Sequence, residues 1–183
     1  VAQIAMGASS QQTMDAFLEA EAHDGPSIII AYSHCIAHGI NMRFGMRQQK
    51  LAVESGHWPP YRFKPAAAGR ERQEFVIDSQ APSIPLKAYA YNEIRYKMLS
   101  YTNPGEAKRL LGLAQEDVKQ RWRVYSALAD RWPATARRGQ GDAGLHDGDG
   151  QGPRWADVVL VRDVVDDRQK WVDDVAGPGA DGE

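Results

Sequence analysis

Cysteine is almost absent from this chain. Cys35 stands alone among 183 residues, beside only five histidines. A lone cysteine excludes an internal disulfide framework and favours a reducing compartment, so a cytoplasmic setting is expected. It also excludes a self-contained thiolate site, because zinc and iron–sulfur centres take about four ligands. Net charge is scarce as well. At −2 it leaves no electrostatic case for nucleic acid or an anionic membrane as partner. No apolar run approaches the roughly 20 residues that span a bilayer. The opening Val1-Ala2-Gln3-Ile4-Ala5-Met6 has neither a basic flank nor a signal-peptide core. It lacks an initiator methionine and starts on a β-favouring run, which reads as truncation. Gly39, Gly45 and Gly69 form neither a G-x-G-x-x-G nor a P-loop pattern. Gly148-Asp149-Gly150 lacks the strand-to-helix setting that phosphate binding needs.

What is present reads as one α/β domain with an unrelated tail. Hydrophobic content of 43% and charged content of 25% are globular values. Val1 to Met6 reads as a strand, broken by Gly7. Ser9 followed by Gln12 has capping-box spacing and opens a helix whose apolar residues include Met14, Phe17 and Leu18. His23-Asp24-Gly25-Pro26 ends it, and Ser27 to Tyr32 reads as a buried strand. Strand, helix and strand make a βαβ unit, which predicts parallel strands and a right-handed crossover.

A short helix follows over Arg47–Ser55, closed by Gly56. The prolines of His57–Pro65 force extended or turn geometry, with Trp58, Tyr61 and Phe63 laid across the body. Residues 66–81 read as a polar loop. Leu86, Ala90, Ile94 and Met98 predict a single helix from Pro85 to Ser100. Asn103, with Pro104 and Glu106 behind it, predicts another running to about Trp132. Its stripe is Leu111, Ala114, Val118, Trp122, Tyr125, Ala129 and Trp132. After Pro133 the character changes. Residues 134–183 are rich in Gly, Asp and Arg, and are expected to be disordered or read in a shifted frame, with a short added helix or strand within Trp155–Val175 as the other reading. Codon-position bias before and after residue 133 would separate these readings.

Cys35 follows the apolar strand Ser27–Ala31, in Tyr32-Ser33-His34-Cys35-Ile36-Ala37-His38-Gly39. Open α/β sheets place their ligands at the carboxyl edge of the strands. Three readings stay open on residue chemistry alone. The thiol is a small inert core group. It is a nucleophile activated by His34, His38 or His57. Or it is one ligand of a site completed from outside the chain. Cys35-x-x-His38 has ligand spacing, but His23, His34, His57 and His146 supply no second recognisable pair.

The segments taken together resemble the C-terminal part of the thiamine-diphosphate domain of pyruvate:ferredoxin (flavodoxin) oxidoreductases. The residues that carry the likeness are Val1–Met6, Gly25–Gly39, Gln49–Pro59, Asp78–Pro82, Tyr91–Tyr96, and Ala114–Val118 through Arg121-Trp122. They cover residues 1–133 in order, and the tail 134–183 matches nothing in the family. The resemblance implies oxidative decarboxylation of pyruvate to acetyl-CoA with thiamine diphosphate and Mg²⁺. It further implies coenzyme A as acetyl acceptor, electron transfer through [4Fe–4S] clusters to ferredoxin or flavodoxin, and a homodimer. It places Cys35 as the last of the four thiolates on the cluster nearest the thiamine; hydrogen bonds to the sulfurs would tune such a cluster's potential, with His34 or nearby backbone amides as candidate donors. The family's other three cysteines, and its Gly-Asp-Gly and Asn ligands for Mg²⁺, lie upstream and are missing here. The expectation is therefore a piece of the enzyme that is inactive alone, or a non-catalytic subunit that completes a separate cofactor-bearing chain.

Overall fold

The computed structural model describes residues 1–66, 72–134 and the strand at 158–161. The first strand, β1 (Ala2–Ile4), is buried along its length. Ser9 then caps α1 (Ser10–Glu21), its side chain accepting the Gln12 amide. The strand β2 (Ser27–Ala31) returns parallel to β1, with Ala2 opposite Ile29 and Ile4 opposite Ala31. The expected βαβ unit with parallel strands is present. Its core is Ala2, Ile4, Ala16 and Ile29, with Phe17, Ala20 and Ala31 packed against them.

Two short 3₁₀ turns lead to α2 (Gly45–Glu54). Gly56 follows that helix at φ +74, a left-handed geometry that favours glycine. The proline-rich stretch then becomes a strand, β3 (Tyr61–Lys64), antiparallel to β1. The expected loop over 66–81 is corrected by β4 (Glu74–Ile77), which pairs antiparallel with β3. Aromatic contact between the two strands accounts for it, since Tyr61 stacks on Phe75 at 5.1 Å. A strand β5 (Val158–Val161) adds parallel to β2, completing the order β4-β3-β1-β2-β5. The rest of the 134–183 tail, and its expected disorder or frame shift, lies outside the described residues apart from Ala134.

Helices α3 (Leu86–Ala90), α4 (Ile94–Thr102) and α5 (Pro104–Arg131) complete the described body. The single helix expected over Pro85–Ser100 is two, broken at Tyr91–Glu93, where Glu93 takes an extended backbone. The break turns Glu93 inward until it is 1% exposed, while Ile94 and Met98 of the expected stripe are exposed. Asn103 caps α5 as read, accepting the Glu106 amide. Val118 joins Ala52, Leu86, Tyr89 and Ala90 in a second core cluster. One further correction concerns α1. It buries Gln12, Thr13 and Ala16, and leaves Met14 and Leu18 exposed. The Gln12 amide donates to the Gln3 carbonyl and to Asp78, so a polar face turns inward.

Candidate functional site

Because β1 and β2 run parallel, their carboxyl ends open at the same edge. The chain stays laddered one residue past β2, with the Tyr32 amide donating to the Ile4 carbonyl at 2.9 Å. Ser33 and His34 follow, and then Cys35 in an extended conformation, capping the 3₁₀ turn Ile36–His38. Its sulfur accepts the Ala37 N–H at 3.4 Å. The His38 N–H closes the turn onto the Cys35 carbonyl at 3.2 Å, and Gly39 ends it at φ 70. Cys35 is half-buried.

Helix α2 grips the strand ends through Gln49. Its carbonyl oxygen accepts the Gly7 amide at 2.7 Å, and its Nε2 lies 3.2 Å from His34 Nδ1. One side chain thus ties the loop after β1 to the loop after β2. Two glycines make this approach feasible. A Cβ on Gly7 would meet the Met46 carbonyl at 2.5 Å, and one on Gly45 would overlap the His34 ring.

The histidines considered as bases each have a neighbour that fixes the ring. His34 meets Gln49, and His38 Nδ1 donates to Glu93 Oε2 at 2.8 Å. His57 stacks on Tyr89 at 4.5 Å. The group that bonds the Cys35 sulfur is the Ala37 amide, one of the backbone donors anticipated from the sequence.

Beneath the turn, Tyr32 and Tyr89 share a hydroxyl–hydroxyl bond of 2.8 Å, and Tyr32 meets Trp58 edge-on at 5.5 Å. Burial pushes both phenols well above the usual tyrosine range. For Tyr89 the neighbouring Tyr32 adds to the shift. Glu93, Gln48 and Gln49 are polar residues of this site that sequence reasoning gave no role. Glu93 lies within the Tyr91–Tyr96 stretch that carried the family likeness, but no local pattern marks it as a buried carboxylate.

Among the described residues no group of three or more His, Cys, Asp or Glu side chains could hold a metal ion. No described helix is long and apolar enough to cross a membrane. Cys35 offers one half-buried sulfur donor at the sheet edge, already accepting a backbone amide.

No protein-family model matches the chain. Against curated proteins it is 52% identical over 131 residues to the pyruvate-flavodoxin oxidoreductase of Nostoc sp., and 45% identical over 130 residues to the pyruvate:ferredoxin oxidoreductase of Moorella thermoacetica. The chain is homologous to one stretch of this oxidoreductase family. It is also 36% identical over 131 residues to the probable pyruvate-flavodoxin oxidoreductase of Escherichia coli. These matches take in 72%, 71% and 72% of the chain but 11% of each relative, so it spans about a tenth of the length of the curated oxidoreductases it matches.

Proposed function

We propose that this chain serves as part of a pyruvate:ferredoxin or pyruvate:flavodoxin oxidoreductase, a cytoplasmic and homodimeric enzyme that converts pyruvate and coenzyme A to acetyl-CoA. The identity of 45–52% to proteins bearing those names carries the reading. Cys35 would hold one corner of a [4Fe–4S] cluster, the other thiolates coming from outside these residues. A bound cluster supplies one-electron transfer toward the flavodoxin or ferredoxin acceptor. This chain's own residues present the thiolate at the carboxyl edge of β1 and β2, where cofactors of open α/β sheets lodge. The Ala37 N–H withdraws charge from the sulfur and so favours the reduced state. Thiamine diphosphate and Mg²⁺ would be held by residues beyond this chain.

By itself the chain is inactive on this reading, because one cysteine cannot complete the ligand set. Reconstitution with iron and sulfide should leave it colourless, and a stable brown chromophore would contradict the proposal. The positive arm replaces the matching stretch of the Nostoc enzyme with this one. That chimera should keep its iron and its pyruvate-dependent reduction of flavodoxin, and Cys35→Ser should lose about four irons per chain. Full iron content in the serine variant removes Cys35 from the ligand set.

A second reading, a non-catalytic subunit completing a cofactor-bearing chain, draws on the exposed Ile36, Met42, Phe44 and Ile94. A neighbouring reading frame ending in the Gly-Asp-Gly and Cys-x-x-Cys elements would favour it.

A further inference from the structure

Glu93 is a carboxylate with 1% exposure, placed between α3 and α4 with both oxygens bonded. Oε2 accepts from His38 Nδ1 at 2.8 Å, and Oε1 accepts from Gln48 Nε2 at 2.9 Å. A buried carboxylate is costly unless its oxygens are satisfied, and helix geometry offers no reason for one here, since Glu93 makes no capping bond to α4. What it holds is the far end of the turn that Cys35 begins. His38 closes that turn onto the Cys35 carbonyl, and the next residue on each side is also in contact. A Cβ on Gly39 would lie 2.7 Å from Ile94 Cβ. The His38 ring further meets Tyr96 edge-on at 6.3 Å. At the near end of the turn, His34 is fixed by Gln49, the neighbour of Gln48 on α2.

We propose that Glu93 is a positioning residue: acting through His38, it locks the 35–39 turn and thereby the direction in which the Cys35 thiol points. The purpose of the lock rests on Cys35 being a cluster ligand, but the lock itself is testable without a cluster. Cys35 is the only thiol, so alkylation of the native 183-residue chain by iodoacetamide reads the turn directly. His38→Ala and Glu93→Ala should each speed alkylation at least about fivefold, with the double variant no faster than either single one. Glu93→Gln keeps an oxygen for Gln48 and offers an amide to His38, so it should stay within about twofold of the parent. Equal rates in the parent and His38→Ala overturn the proposal even where Glu93→Ala fails to fold. So do fully additive single effects, or a glutamine variant as fast as the alanine one. In the Nostoc chimera, His38→Ala should keep its iron and change the electron paramagnetic resonance line shape of the cluster; an unchanged line shape counts against the lock. Retained iron in Cys35→Ser would instead sink the ligand assignment and leave the alkylation result standing.

Discussion

Single residues set the sharpest constraints around Cys35. Gly39 combines a left-handed backbone at φ 70 with a Cβ position 2.7 Å from Ile94 Cβ. Gly39→Ala should therefore cost about 2–4 kcal/mol, from backbone strain and overpacking together, measurable by urea denaturation. Tyr32→Phe leaves the Tyr89 hydroxyl without its 2.8 Å partner and should cost about 1–2 kcal/mol by the same measurement. The two phenols also set an alkaline limit. Burial disfavours their ionised forms, so in the fold both keep their protons above pH ~10, where the unfolded chain releases its own. Their contribution is complete below about pH 10 and declines as pH rises further. Tyrosinate absorbance should show these two groups titrating together with unfolding. A smooth titration of every tyrosine in the intact fold would refute this.

Among the elements, those written in local code were legible from the sequence. Asn103, Pro104 and Glu106 declare the start of α5 within four positions, and Ser9 with Gln12 does the same for α1. Asn103→Ala should lower stability by about 1 kcal/mol and fray the first turn of α5, visible as faster amide exchange. The division of α3 from α4 was not legible. The bonds that draw Glu93 inward join residues 55 and 45 positions away, a separation to which helical periodicity is blind. The strand β4 was missed although Phe75-Val76-Ile77 is β-favouring, because that run is three residues long in a polar stretch and its aromatic partners on β3 are not local. At the site, the cysteine and its position at the strand's carboxyl end could be read, because an apolar run followed by a lone thiol is a local pattern. Its supports could not, since Gln48, Gln49 and Glu93 are polar residues buried by distant partners.

At the scale of the molecule, the sheet is parallel at β1, β2 and β5 and antiparallel at β3 and β4. The chain leaves Ile36, Phe44, Met14, Leu18, Ile94 and Tyr101 exposed. The isolated chain should bind an apolar dye and self-associate with rising concentration in sedimentation. Within the chimera both behaviours should vanish, because the remainder of the enzyme would cover those side chains. Dye binding of equal strength in both settings would argue that this surface stays open.

The outer rim of the sheet has its own safeguard. Phe63 exchanges backbone bonds with Val1, so the opposite Phe75 turns its amide away from β3, and that amide donates to the Trp132 carbonyl at 2.8 Å. The end of a long helix thus occupies the donor that a stray strand would seek. Growth of the sheet by recruiting a foreign chain at this margin is blocked at its middle rung.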